Sequence, residues 1–166
     1  EVHSSTKGSL TVLLELFRLC FNFLATRNRL VYYGIRIVRR VFLTNPFPFG
    51  ENIGHLIDLE PLWQARLEDF ISGKEELRPA DLQNTKTHNA NHNAKPISEL
   101  LASFRAVRGE TVAMLENVDE KIVFSTALHP RLKTPMRMMD SFLFTAEHDD
   151  HHLARITEIA KLVLKN

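Results

Sequence analysis

Residues 97 to 118 read ISELLASFRAVRGETVAMLENV, and the apolar positions in this stretch decide the fold class. Ile97, Leu100, Leu101, Phe104, Val107, Thr111, Met114, Leu115 and Val118 recur at intervals of three and four, the period that turns one helical face toward a core. The spacing predicts one uninterrupted helix over 97–118 with Leu101, Phe104, Thr111 and Leu115 inward. The same period appears on both sides of it. Leu10, Leu13, Leu14, Phe17, Phe21 and Leu24 predict a first helix over 9–26. Ile53, Leu56, Ile57, Trp63, Leu67, Phe70 and Ile71 predict a second, ending near Gly73, with a kink or break expected at Pro61. A last helix is expected to start at Thr134-Pro135, a side-chain cap followed by a proline at the first helical position. It runs through Met139, Phe142, Ala146, Leu153, Ile156, Ala160 and Val163.

Four long amphipathic helices with no hairpin signal predict an all-α four-helix bundle, with long crossover connections at 27–50 and 74–96. Asn45-Pro46-Phe47-Pro48-Phe49-Gly50 reads as an extended turn, and the Asn-rich 74–96 stretch as a long polar loop. The β-branched and aromatic residues Val31-Tyr32-Tyr33 and Ile35 to Leu43 allow a short strand. With 166 residues, 44% of them hydrophobic, the chain is expected to form one domain over 1–166 with a sizeable core.

The apolar run from Leu10 to Ala25 carries Glu15 and Arg18 and falls short of the roughly 18–20 residues that cross a bilayer, so no membrane span is expected. A lone Cys20 cannot form an internal disulfide; it reads as a core residue in a reducing compartment, and the cytoplasm is the expected location. Net charge is +1 but uneven: residues 1–50 carry seven Lys and Arg against two Glu, among them Arg36, Arg39 and Arg40. Nucleic acid or anionic lipid is a weak candidate partner for that face, since a solvated basic helix is the commoner outcome.

The histidines carry the chemistry. His148 and His152 are four apart on the last predicted helix, which puts both imidazoles on one face, close enough for two ring nitrogens to reach one ion. His55, at the start of the second helix, is the natural third ligand, and three imidazoles leave a coordination position open, as catalytic sites do. His88 and His92 share the four-residue spacing but lie in the polar connection, and are expected to be solvent-exposed. Asp149 falls on the apolar stripe, where a metal or its supporting shell would compensate a charge otherwise costly in a core. Asp58, one turn from His55, is a candidate to hold an imidazole tautomer. His151 is assigned a supporting or surface role, and Trp63 to core packing rather than to a pocket wall.

Three segments together, Gly50-Glu51-Asn52-Ile53-Gly54-His55-Leu56-Ile57-Asp58-Leu59-Glu60, His129-Pro130, and Ala146-Glu147-His148-Asp149-Asp150-His151-His152-Leu153-Ala154-Arg155-Ile156, resemble the DinB/YfiT-like superfamily over about residues 50–160. The resemblance implies a metal-binding four-helix bundle in which His55, His148 and His152 occupy the positions that hold a divalent metal. The chain departs from the pattern ahead of residue 50, where Pro48-Phe49 stands in place of a Trp-Ser-like pair. For some members the resemblance also implies thiol-dependent chemistry with a low-molecular-weight thiol. It often implies homodimers, and the apolar Phe42, Leu43, Phe47 and Phe49 fit a covered surface.

The leading expectation is therefore a metal-dependent S-transferase or hydrolase acting on a small-molecule substrate. The alternative is a non-catalytic, metal-stabilised binding or stress-response module, in which a fourth protein ligand such as Asp149 or Glu60 would close the site. Imidazole ligands suit Zn, Ni, Cu and Fe alike, so the metal is not fixed by the sequence.

Overall fold

The apolar stripes of the second, third and fourth predicted helices become three long helices in the computed structural model, which describes residues 49–164. In chain order these are α1 (Phe49–Ile71), the short α2 (Thr85–Asn89), α3 (Ile97–Glu116) and α4 (Met138–Leu164). A two-stranded hairpin, β1 (Thr126–Leu128) and β2 (Pro135–Arg137), precedes α4. The predicted helix at 9–26, the possible strand at 31–43, Cys20 and the arginine-rich segment lie outside the described residues.

Burial of the stripes is what packs the helices. Helix α1 turns Ile53, Leu56, Trp63, Leu67 and Phe70 inward and lies against both α3 and α4. Helix α3 buries Leu100, Leu101, Phe104, Thr111 and Leu115. Two apolar clusters result. Ile53, Leu56, Leu100, Leu101 and Phe104 form one, and a larger one joins Trp63, Leu67, Phe70, Leu115, Met138, Phe142 and Ala146. Phe49, expected to be surplus apolar surface, is half-buried against the first cluster.

Helix α1 runs unbroken through Pro61. That proline is exposed, so the ladder bond it removes falls on the solvent side, while the buried stripe continues on the other. The helix stops at Gly73, whose φ of 68° is left-handed backbone, with Gly73 N–H bonded to Phe70 O at 3.1 Å and Lys74 N–H to Asp69 O at 3.0 Å.

The start of α4 differs from expectation. Thr134-Pro135 does not cap a helix; Pro135 opens strand β2, antiparallel to β1 with Ala127 opposite Met136 and Leu128 opposite Pro135. Proline is tolerated at the first residue of such a strand because no ladder donor is required there. The helix starts three residues later, its first N–H groups satisfied by the chain: Met138 N bonds Ser125 O at 3.0 Å and Met139 N bonds Val123 O at 3.1 Å. Strands of three residues carry too little alternation to register as a hairpin signal, which is why the sequence showed none.

The 74–96 connection is not a bare polar loop. Leu77 is buried, and the segment joins β1 through Leu77 N to Leu128 O at 3.0 Å and Leu128 N to Glu75 O at 2.8 Å. Further on, α2 and a 3₁₀ turn at His92–Ala94 pack on α1. His92, expected in solvent, is 5% exposed. His88 is exposed and pairs with Glu51 at 3.2 Å. No helix among the described residues is long and apolar enough to cross a membrane.

Candidate metal centre

His55 is carried by α1, six residues from its first residue, and His148 and His152 by the middle of α4. Packing of α1 against α4 brings the three rings together: centroids lie 5.4 Å apart for His55 and His148, 4.9 Å for His55 and His152, and 4.7 Å for His148 and His152. One ring nitrogen from each lies within 4.8 Å of the other two, and all three residues are half-buried. That donor set is consistent with a divalent metal site.

The protonation states favour ligation, which requires neutral imidazole. Burial, reinforced by the neighbouring His148, His55 and His151, pushes His152 down to about 4. Burial, with His148 adding to it, also lowers His55. His148 Nδ1 is buried with no hydrogen-bond partner, an orphan of the kind that a ligand would satisfy.

Each outer partner has an identifiable role. The Asn52 side-chain oxygen accepts from His152 Nδ1 at 2.9 Å, which leaves Nε2 of that ring with its lone pair. Thr87 Oγ1 lies 3.2 Å from His55 Nδ1, within hydrogen-bond reach of that ring. Asp58, a candidate to hold an imidazole tautomer, pairs instead with His92 at 2.7 Å and Lys86 at 3.3 Å. Burial raises Asp58, but hydrogen bonds from His92 and Thr87 outweigh it and hold the carboxyl below its ordinary range. His151 is exposed, its ring 5.7 Å from that of His152 and outside the cluster. Trp63 belongs to the core as expected, yet its ring also lies 6.3 Å from His148, so it walls the site as well.

Asp149 has a different compensator from the metal proposed for it. Arg108 Nη1 donates to Asp149 Oδ2 at 2.6 Å and Arg108 Nε to Glu60 Oε1 at 2.6 Å, with all three side chains buried. Thr111 completes the set by donating to Glu60 Oε2, and Gln64 Nε2 donates to Thr111 Oγ1 at 3.1 Å. Burial pushes Glu60 up, against the opposing pull of Arg108 and Thr111. Asp149 Oδ1, without a hydrogen-bond partner, lies 4.0 Å from His148 Nδ1, the network's nearest approach to the histidines. A signal for this network exists in the sequence: Arg108 sits on the α3 stripe between Phe104 and Thr111, opposite in sign to Asp149 and Glu60 on theirs. No carboxylate or thiol among the described residues joins the three-histidine group.

A family model described as the DinB superfamily matches residues 39–156. The chain belongs to the DinB superfamily. The match takes in His55, His148 and His152 and reaches back past residue 50, into the stretch where the motif departs from the usual pattern. The mostly helical, packed architecture is that of a DinB four-helix bundle. No curated protein and no solved structure gives a significant match.

Proposed function

We propose that His55, His148 and His152 bind one divalent metal ion and that this DinB-superfamily chain is a metal-dependent enzyme, an S-transferase or hydrolase acting on a small molecule. The observation that carries the reading is the convergence of three ring nitrogens within 4.8 Å, on two helices that the core packs together. A divalent ion held there supplies Lewis acidity that lowers the pKa of a water or a low-molecular-weight thiol toward neutrality, making a nucleophile. The chain's own residues do the rest. Asn52 and Thr87 orient two of the rings, Trp63 excludes water from one side, and burial keeps His55 and His152 unprotonated near neutral pH.

The competing reading is a non-catalytic bundle whose metal is structural and has four protein ligands. Glu60 and Asp149, the two carboxylates considered as a fourth ligand, both pair with Arg108 and neither joins the three-histidine group, which supports an open position and hence the enzyme. Elemental analysis of untagged protein tests the metal: about one equivalent of Zn, Ni, Cu or Fe is expected, and none after His55→Ala. Turnover of thiol-acceptor and hydrolysable substrates by loaded protein then separates the two enzyme classes. A cytoplasmic homodimer is part of the same proposal, supported by the apolar Phe42, Leu43 and Phe47; light scattering at micromolar concentration should return twice the chain's 19.1 kDa.

A further inference from the structure

Two arginines are buried among the described residues, and their surroundings differ. Arg108 is held between the Glu60 and Asp149 carboxylates. Arg66, on the inward face of α1 and 4% exposed, has no carboxylate within ion-pair distance among the described residues. Its one hydrogen bond runs from Nε to Arg78 O at 3.1 Å. A guanidinium carries five N–H donors, so the four on Nη1 and Nη2 are left without a protein acceptor among those residues.

The carboxylate one turn further along α1 cannot supply that acceptor. Lys74 Nζ and Arg78 Nη2 donate to Asp69 Oδ1 at 2.6 and 2.8 Å, and Arg78 N and Nε donate to Asp69 Oδ2, both at 3.0 Å. Those bonds use the roughly four acceptor positions that a carboxylate offers. Burial accordingly pulls Arg66 below its ordinary range, with only Asp69 opposing it.

Two contacts fix the guanidinium without neutralising it: the Arg78 carbonyl on Nε, and the Trp63 ring, whose centroid lies 5.5 Å from Cζ. The Nη edge meets solvent through an opening that leaves the residue almost covered. A buried cation with no counter-ion is costly, and a rigid fork with both outer nitrogens unfilled matches the paired oxygens of a carboxylate or phosphate.

We propose that Arg66 is an anion-binding residue, whose Nη1–Nη2 edge takes the carboxylate or phosphate group of a small molecule bidentately. Trp63 links this site to the candidate metal centre, since its ring lies under the guanidinium and 6.3 Å from the His148 ring. The site makes no use of the metal and stands or falls separately from it.

Trp63 is the one tryptophan of the chain, so its emission reports on the guanidinium above it. The test titrates the full chain, stripped of metal, with sodium phosphate and separately with sodium acetate, at an ionic strength held constant with chloride. Wild type should give a saturable change in Trp63 emission and a matching rise in melting temperature with at least one of the two, since an anion bound only by the folded state stabilises it. The tighter anion identifies the group. Arg66→Met keeps a flexible stem against Trp63 but has no fork; it should lose both responses, and in chloride alone it should melt as high as wild type or higher, because the uncompensated charge is gone. Arg66→Lys keeps the charge without the fork and should bind about tenfold more weakly. Responses that do not saturate in wild type, or that are equal in Arg66→Met, overturn the proposal. A purely structural Arg66 predicts an Arg66→Met variant that melts well below wild type in chloride, with no anion response in either protein, and that pattern overturns it too. Should Arg66→Met not fold, undiminished affinity in Arg66→Lys is the overturning result.

Discussion

Asp149, the sequence neighbour of His148, divides its carboxylate: Oδ2 accepts a 2.6 Å hydrogen bond from Arg108 on α3, and Oδ1 lies 4.0 Å from His148 Nδ1. Because Arg108 also holds Glu60 on α1, one guanidinium ties the three long helices together directly behind the candidate metal site. The network gives the buried charge of α4 an opposite charge on α3 and holds Glu60 of α1 on the same cation.

Removing that guanidinium should be costly. Arg108→Met would leave Glu60 and Asp149 buried without their cation, and breaking a buried pair by deleting one partner costs about 3–5 kcal/mol. Urea denaturation of the metal-free protein should show a loss of that size. Changing Glu60, Arg108 and Asp149 together to apolar residues of similar volume should recover most of it, since the desolvation cost disappears along with the pairing. A single-variant loss below about 1 kcal/mol would mean that the network is more hydrated than its burial indicates.

The glycine at position 54 should not tolerate a methyl group. A Cβ there would meet the His92 ring at 2.1 Å, far inside contact distance, so either the ring leaves Asp58 or the helix shifts. Gly54→Ala should therefore destabilise the protein by about 1–3 kcal/mol, as overpacking does, even though alanine is the better helix former. Gly109, with open space around its Cβ position, is the control: Gly109→Ala should leave stability equal or raise it.

Much of this was legible beforehand, for reasons that can be located. The α3 stripe is continuous, so its helix and inward residues follow from period alone, and the His148–His152 spacing becomes meaningful once its helix is recognised. His92 was misread because its burial depends on Gly50 and Gly54, some forty residues earlier, and no local pattern reports a groove that another segment will fill. Asp149 was seen as a charge on a core stripe, but its partner lies 41 residues away on another helix. The hairpin before α4 was hidden because Thr-Pro is an equally good helix start, and only long-range pairing with 126–128 selects the strand.

Acid should weaken the metal-free fold over a defined window. The folded-state pKa of His152 is lowered to about 4 from 6.5, first by burial, so over that interval the unfolded chain binds more protons than the folded one. The contribution is therefore fully present above about 6.5 and is lost as pH falls toward 4. His55, lowered in the same direction by burial, adds to the same trend. Denaturation midpoints measured across this range should decline with falling pH, and His152→Asn, which cannot titrate there, should flatten the slope. A slope unchanged in that variant would assign the acid sensitivity elsewhere.

The sharpest separation of the two functional readings comes from His152→Ala. This ring sits on α4, half-buried, while the folding energy resides in apolar clusters built from Leu67, Phe70, Leu115, Phe142 and their neighbours. Losing one ligand of an open site removes little of that buried area, so the metal-free variant should stay helical by circular dichroism with stability within about 1 kcal/mol of wild type. Metal content and activity should both be lost. A structural metal predicts the opposite pattern, because its binding free energy is then part of the folding free energy. The comparison to make is the melting temperature of wild type with and without a chelator beside that of the variant. A wild type that unfolds when stripped of metal, and a variant that fails to fold at all, would replace the enzyme reading with the structural one.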